Sequence, residues 1–294
     1  KAERQIIGGL SLELLNRLKA RGQTEQQKPN NKNFEWSFNS AEMAIELDQM
    51  VLENNITPFL HTKVVGGITN ERRVEYIIIE DKSGRHAIEC KYAIDASGDA
   101  DLLQRIGHPL YSHACIQPAT TAAIIDGYHN SPNKNMYEAL LGPDGPESLK
   151  KNFLWASNVP GCNSLRSIYG TRIHNLNASN AKELTEAEIE GRKQIRIIID
   201  TLRNKLCPEI GLAALPSAIG IRDSRHINSA YQLTENDVLE GKVFDDTIAH
   251  GTYRVDIHPQ NKNGITFRYL DGVEEIHVDG KVSKGRWREE RTED

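Results

Sequence analysis

The chain has 294 residues and a formal net charge of −5, from 36 basic and 41 acidic side chains. Its hydrophobic fraction of 38% is sufficient for a packed core, which excludes wholesale disorder. No basic stripe indicates a nucleic-acid surface, and no apolar run approaches the roughly 20 residues that a membrane helix needs. The first residues lack the apolar run of a signal peptide. We therefore expect a cytoplasmic protein that binds neither nucleic acid nor membrane.

Two helices are predicted near the start of the chain. Leucines recur at helical spacing over residues 12–21, with Ser11 as N-cap and Gly22 as the stop signal. A second helix is predicted over about 41–54, opened by Ser40.

From Ile56 onward the pattern becomes that of strands. β-Branched residues predict strands over 57–62, 73–80 and 86–90, with a hairpin turn at 81–84. A short apolar strand over 92–96 then leads into a predicted helix over 100–106. Further strands are expected over 119–125 and 165–173.

The second half of the chain contains one long predicted helix. Thr185 and Glu188 form a capping-box pattern, and the helix should run to near Leu206. Its expected apolar positions are Ile189, Ile195, Ile198 and Leu202. Residues 219–233 are predicted to be extended, Thr234 to cap a short helix through Leu239, and the polar segment after Lys281 to be solvated or disordered.

The cysteines carry no metal-binding pattern. Cys90, Cys115, Cys162 and Cys207 are scattered and form no CxxC pair. This spacing suits neither a zinc site nor an iron–sulfur cluster. We expect free thiols, as is typical of cytosolic proteins, and no metal.

The most informative segment is 94–101, where small residues follow a predicted strand and precede a helix. In an open α/β sheet, ligands bind at the carboxyl ends of strands. Ala96, Ser97 and Gly98 allow a cofactor to approach the backbone, and Asp99 can accept hydrogen bonds from ribose or ribityl hydroxyls. The alternative is a tight strand-to-helix turn in which Asp99 is a helix N-cap.

Several segments, in order, resemble FAD-dependent oxidoreductases of the glutathione-reductase-like superfamily. The run from Ala93 to Leu102 resembles a family signature, with Ser97 in the place of a threonine. The resemblance extends from about residue 6 to 258 and also includes 7–18, 107–109, 184–192, 215–225 and 253–258.

The resemblance implies FAD as cofactor and an α/β fold. The expected architecture is an incomplete Rossmann-like FAD-binding domain of the ββα three-layer type over 1–109. A β-rich substrate cap would cover 110–270, and a polar tail 271–294. Asp99 would lie near the diphosphate or the ribityl chain of FAD.

The chain also departs from the family pattern. It contains no GxG, whereas the family begins with a GxGxxG loop that holds the FAD pyrophosphate. Nothing after Asp271 resembles the family's second cofactor segment. We expect a fragment that lacks both ends, and that is poorly soluble unless a partner or a homo-oligomer covers its sheet edges.

Four residues are candidates for catalysis over the flavin. Arg222 and Arg225 suit the capture of a carboxylate or phosphate, and Asp256 and His258 are spaced to face one side of a strand, as a base and its orienting group. Structural roles remain open for all four, and for the arginines these would be ion pairs with Asp223 or Glu235.

These residues suggest hydride transfer between a small organic substrate and FAD. Because the glycine-rich loop is missing, a non-catalytic remnant or binding module of the flavoprotein scaffold is the alternative. A hydrolase that uses Asp99 and Asp101 is disfavoured, because nothing positions a sugar between them.

Overall fold

The computed structural model describes residues 7–26, 35–113, 116–130, 135–251, 253–258, 264–278 and 281–287. The helices are α1 (Gly9–Ala20), α2 (Ser40–Glu53), α3 (Asp101–Arg105), α4 (Met136–Leu141), α5 (Ala181–Lys205) and α6 (Glu235–Leu239). The strands are β1 (Thr24–Gln26), β2 (Trp36–Phe38), β3 (Lys63–Asn70), β4 (Arg73–Asp81), β5 (Gly84–Glu89), β6 (Leu110–Tyr111), β7 (Ala123–Asp126), β8 (Trp155–Val159), β9 (Cys162–Tyr169), β10 (Gly211–Ala214), β11 (His226–Ile227), β12 (Val255–Ile257), β13 (Ile265–Arg268), β14 (Val273–Val278) and β15 (Lys281–Arg286).

The described strands form five antiparallel sheets. The largest two have the strand orders β10-β7-β9-β8 and β12-β13-β14-β15, and a third is the meander β3-β4-β5. Two further sheets are the pairs β1-β2 and β11-β6. The fold is therefore mixed α/β with several sheets, in agreement with the predicted α/β class.

The main core lies between α5 and the sheet of β7 and β9. Ile195, Ile198 and Leu202 of α5 are at most 2% exposed and pack in one cluster with Ile125 of β7 and Ile168 of β9. Their spacing on α5 is the amphipathic pattern that the sequence predicted. Ile189, the fourth of the predicted apolar positions, is 49% exposed and lies outside this cluster.

The helix starts differ from the predictions because other residues cap them. Asn180, and not Thr185, caps α5, and its side chain accepts hydrogen bonds from Lys182 and Glu183. The Thr185 hydroxyl instead donates to the Ala181 carbonyl inside the first turn. For α2 the cap is Asn39 rather than Ser40. The α1 helix begins before the predicted Ser11 cap, at Gly9.

The predicted capping of the last helix is confirmed. Thr234 accepts from the Asp237 backbone, and the Asp237 carboxylate accepts from the Thr234 backbone, which completes a capping box at α6. The hairpin turn at 81–84 is also present: Asp81 accepts a hydrogen bond from the Ser83 backbone, and Gly84 has a φ of +119°.

Two predicted strands are absent. Residues 57–62 contain no strand, and the left-handed backbone of Asn55, before the segment, and of His61, within it, interrupts the extended path. Residues 92–96 have no strand partner among the described residues, and Tyr92 and Ile94 are each 90% exposed. A strand pattern needs a neighbouring strand to complete its hydrogen bonds.

The segment after Lys281 was predicted to be solvated or disordered, and its residues up to Arg286 are solvent-exposed and form a strand. All six residues of β15 are exposed, and the strand pairs along its whole length with β14. Three basic residues, Lys281, Lys284 and Arg286, are compatible with an edge strand.

Three cysteines, Cys90, Cys162 and Cys207, are free thiols, and Cys115 lies outside the described residues.

Candidate functional site

The predicted cofactor segment is organised by Asp95. Its Oδ1 accepts from the backbone and the hydroxyl of Ser97, at 3.1 and 2.6 Å, and its Oδ2 accepts from the backbone N–H groups of Leu102 and Leu103, at 3.0 and 3.2 Å. Although burial acts to raise the pKa of this carboxyl, the four hydrogen bonds together hold the pKa below its usual value. Asp95 therefore satisfies the first turn of α3, the role that the turn alternative gave to Asp99.

Loss of the Asp95 carboxylate should loosen this segment locally. We expect Asp95→Ala to cost about 1–2 kcal/mol of stability, the usual effect of removing a helix cap. Native-state hydrogen exchange should show lost protection at Leu102 and Leu103, which are the amides that the carboxylate holds. Asp48→Ala, on the exposed face of α2, is the matched control. Unchanged exchange at both amides would contradict this role.

The four predicted cofactor residues form an accessible stretch of backbone. Ala96, Ser97 and Gly98 are exposed. Gly98 has a φ of +82°, and a β-carbon added there would meet no atom within 4 Å. The left-handed backbone explains why glycine suits this position, and the open space leaves the backbone accessible.

A cavity of about 410 Å³ lies beside this stretch. Ala96 and Ser97 form part of its lining, together with the basic side chains Lys63 and Arg105. Arg105 also lies 3.2 Å from Asp101. Asp95 and Asp101 also line the cavity, so its two basic side chains are balanced by two acidic ones.

The loop that contains Arg222 and Arg225 packs against the cofactor segment. The Ser224 hydroxyl donates a short hydrogen bond to Asp99 Oδ1, and Arg225 Nη2 lies 2.7 Å from Asp101 Oδ1. No described residue donates to Asp99 Oδ2. The structure thus brings Asp99 and Arg225 to one side of the molecule, with Arg225 engaged in an ion pair.

The carboxylates that the structural alternative assigned to Arg222 and Arg225 pair with other residues. Asp223 lies 2.7 Å from His226 Nε2, and Glu235 pairs with Arg268. The expected ion pairs of Arg222 and Arg225 with Asp223 or Glu235 are not formed among the described residues.

Arg222 reaches a second group of residues around Thr120. Its Nε donates to Thr120 Oγ1 at 3.4 Å, and Nη1 of the buried Arg172 donates to the same oxygen at 3.2 Å. Arg172 also donates to the Thr171 carbonyl at 2.7 Å and to His258 Nδ1 at 3.4 Å. Two guanidinium groups therefore meet at one hydroxyl, Arg172 from the interior and Arg222 from the surface.

Gln194 of α5 fixes the backbone of Arg172. Its Oε1 accepts from Arg172 N at 3.0 Å, and its Nε2 donates to Arg172 O at 3.1 Å. Both hydrogen bonds are buried. The main-chain position of Arg172 is thus set by the long helix of the core.

Asp256 and His258 lie together, as their spacing predicted. Asp256 Oδ1 and His258 Nε2 are 3.2 Å apart, and the His258 backbone donates to Gln117 Oε1 at 3.1 Å. Asp256 Oδ1 is buried and has no partner of hydrogen-bond geometry among the described residues. Gln117 N also donates to Asp223. Gln117 therefore links the segment of Asp256 and His258, through its side chain, to the loop of Arg222, through its backbone.

The charges of this cluster change its proton affinities. Burial, followed by the nearby Arg172 and Arg222, lowers the pKa of His258 to about 3, so the ring is neutral at pH 7. Burial raises the pKa of Asp256, against the attraction of Arg222, Arg254 and Arg172. Burial and Arg222 lower the pKa of Arg172 to about 10, so it stays protonated.

Sequence reasoning missed part of this cluster. Arg172, His174 and Thr120 were not among the predicted site residues. Both ring nitrogens of His174 are buried without a hydrogen-bond partner in the described chain, and burial, then Arg172, lowers its pKa. The available signal was the pair of basic side chains two residues apart, Arg172 and His174, just beyond β9.

Within the described ranges, no helix has both the length and the apolar character required to cross a membrane. The same residues contain no group of three or more His, Cys, Asp or Glu side chains that could hold a metal ion.

Several solved structures match parts of the chain at low sequence identity. They include BexE, studied for oxidation during BE-7585A biosynthesis (10% identity, TM-score 0.45, 76% of this chain and 45% of that one). CabE, an aromatic hydroxylase from angucycline biosynthesis, has 11% identity, a TM-score of 0.43, and coverage of 79% and 47%. A triple mutant of the flavin-dependent brominase Bmp2 has 14% identity, a TM-score of 0.43, and coverage of 74% and 54%. The chain thus spans about half the length of the structures that it matches.

Curated protein sequences contain no significant match to the chain. The family model described as FAD dependent oxidoreductase matches residues 1–278. That match covers nearly all of the chain and agrees with FAD as the expected cofactor. The chain belongs to the FAD dependent oxidoreductase family.

Proposed function

We propose that this chain forms part of an oxidoreductase that transfers hydride between a small organic substrate and FAD. The observation that carries the proposal is the loop from Arg222 to Arg225. At one end it contacts the cofactor segment, through Ser224 with Asp99 and Arg225 with Asp101. At the other end Arg222 contacts the buried polar cluster of Arg172 and its neighbours. A single loop therefore connects the predicted cofactor segment to a cluster of charged side chains that could act in catalysis.

The residues of the cofactor segment suit FAD. Gly98 leaves open space over the backbone, Ala96 and Ser97 border a cavity lined by both basic and acidic side chains, and Asp99 Oδ2 is available to a hydroxyl. We assign cofactor binding to these four residues, within an incomplete Rossmann-like domain over 1–109. In the same proposal, 110–270 is the β-rich substrate cap and 271–294 a polar tail.

FAD, when bound, supplies the two-electron acceptor for a hydride. For an alcohol-type substrate, a base of this chain must take the hydroxyl proton as the hydride leaves carbon. Asp256 suits this role, because its Oδ1 has no hydrogen bond and burial raises its pKa toward neutrality. His258, neutral and 5% exposed, suits the positioning of Asp256 better than proton transfer. Arg222 suits orientation of the substrate's polar groups, and Arg225 that of the cofactor segment.

Flavin retention tests the cofactor assignment. The purified chain is incubated with FAD and desalted, and its visible absorption is recorded. We expect the two flavin bands to remain, and Gly98→Val to weaken FAD binding at least about tenfold, since a branched side chain would fill the open approach. Gly241→Val is the matched control, because Gly241 has a φ of +64° and equally open surroundings.

The alternative function is a non-catalytic binding module of the same scaffold. A folded wild-type chain that retains no flavin would favour it over the enzyme. Equal FAD binding by wild type and Gly98→Val would instead move the cofactor away from the predicted segment. A cytoplasmic location and a homo-oligomer that covers exposed strand edges remain part of the proposal, and sedimentation velocity would measure the oligomeric state.

A further inference from the structure

We infer that the cluster around Thr120 binds the carboxylate of a small organic acid, between the guanidinium groups of Arg172 and Arg222. The inference deepens the proposed function and rests on it for the identification of the bound acid as a substrate. The class of ligand follows from charge and geometry alone.

The cluster carries more positive than negative charge. Arg172 is 5% exposed and Arg222 shares the Thr120 hydroxyl with it, yet neither forms an ion pair with a carboxylate of the described chain. Asp256 supplies one negative charge nearby and does not contact either guanidinium at ion-pair distance. A buried charge without a counter-ion is costly, and two like charges at one hydroxyl add to that cost. An anionic ligand would offset the cost of burying Arg172 and the repulsion between the two guanidinium groups.

Polar atoms around the arginines are also left without partners. Both ring nitrogens of His174 and the Oδ1 atom of Asp256 are buried and make no hydrogen bond to the described residues. Neutral histidine offers one donor and one acceptor, and Asp256, when protonated, offers a donor. An organic acid with a second polar group, such as a hydroxyl, would use these atoms while its carboxylate meets the arginines.

A carboxylate suits the cluster better than a diphosphate does. Guanidinium groups bind planar carboxylates through paired N–H donors. The positive excess is modest once Asp256 is counted, and the proposed place of the FAD diphosphate is the cavity beside Ala96 and Ser97. A single negative charge therefore matches the cluster.

Isothermal titration calorimetry of the flavin-free chain, at constant ionic strength, tests the inference. The probes are acetate, succinate and benzoate, with acetamide, succinamide and benzamide as neutral counterparts and pyrophosphate as the phosphate source. We expect at least one carboxylate to bind saturably and its amide not to bind. Arg222→Gln should weaken that binding about tenfold or more, as loss of a charge-assisted contact does. Arg196→Gln, an exposed arginine of α5, removes the same charge and should change nothing.

Two further variants distinguish a binding role from a structural one. Asp256→Asn removes the negative charge beside the arginines and should tighten carboxylate binding, the opposite of Arg222→Gln. Arg222→Lys keeps the charge without the planar fork and should give an intermediate affinity; it also replaces Arg222→Gln if that variant fails to fold.

Three results would overturn the inference: no carboxylate binds, a carboxylate binds equally to wild type and Arg222→Gln, or pyrophosphate alone binds the cluster. Flavin retention is measured separately. Carboxylate binding without flavin retention would reject the proposed enzyme and support the carboxylate site. Flavin retention without carboxylate binding would support the enzyme and reject the carboxylate site.

Discussion

Replacing Leu202 with alanine should lower the free energy of unfolding by about 2–5 kcal/mol, as truncation of a buried leucine usually does. The Leu202 side chain has 0% exposure on α5 and packs in the cluster that joins this helix to β7 and β9. Deleting its branched end removes apolar contacts and leaves a cavity that surrounding isoleucines fill incompletely. Urea unfolding followed by circular dichroism measures the change.

Leu52→Ala is the matched control for this substitution. Leu52 also lies in a helix, α2, but it is 64% exposed. The same atoms are removed there without creating a cavity, so the loss should stay below about 1 kcal/mol. Equal losses in the two variants would mean that the packing of α5 on the sheet does not dominate the stability of the chain.

The core was predictable because it rests on a local pattern. Ile195, Ile198 and Leu202 repeat at helical spacing, so the face that α5 buries was visible in the sequence. The start of α5 was less predictable, since Asn180 and Thr185 both precede suitable residues and both have capping side chains. Asn180 became the cap because its carbonyl group reaches two free backbone N–H groups.

Strands depend on distant partners, and there the local pattern was insufficient. Residues 92–96 have the apolar composition of a strand, but they pair with no described strand. β15 shows the reverse case. Its residues appeared too polar for regular structure, and β14 nevertheless supplies a complete set of ladder partners. Register and pairing are long-range properties that a propensity does not contain.

The candidate site divides in the same way. Spacing alone predicted that Asp256 and His258 face one side, and the two side chains do lie 3.2 Å apart. The contact between Arg172 and His258 joins residues 86 positions apart, and no local sequence pattern predicts it. Arg172 was therefore missed, although it is the most buried charge of the cluster.

The buried state of His258 predicts a marked loss of stability in acid. Its pKa is lowered from 6.5 to about 3 in the folded chain, by burial first and then by Arg172 and Arg222. Between these two pH values, His258 is protonated in the unfolded state and neutral in the folded state. The free energy of unfolding must therefore fall as the pH falls from 6.5 towards 3. A full shift of this size corresponds to at most about 5 kcal/mol. His174, also lowered, acts in the same direction, whereas Asp256, raised, acts against it.

A difference measurement isolates the contribution of His258. Unfolding free energies of wild type and His258→Asn are compared from pH 7 to pH 4, in buffers free of carboxylates so that the arginine cluster stays empty of buffer acid. Wild type should be the more stable at pH 7, because the ring accepts a hydrogen bond from Arg172. The variant has no ring to protonate, so its curve should be flatter and the difference should shrink or reverse at low pH. His250→Asn, at an exposed histidine, should run parallel to wild type. Parallel curves for His258→Asn as well would mean that water or an anion reaches His258 and that the cluster is less shielded than its burial implies.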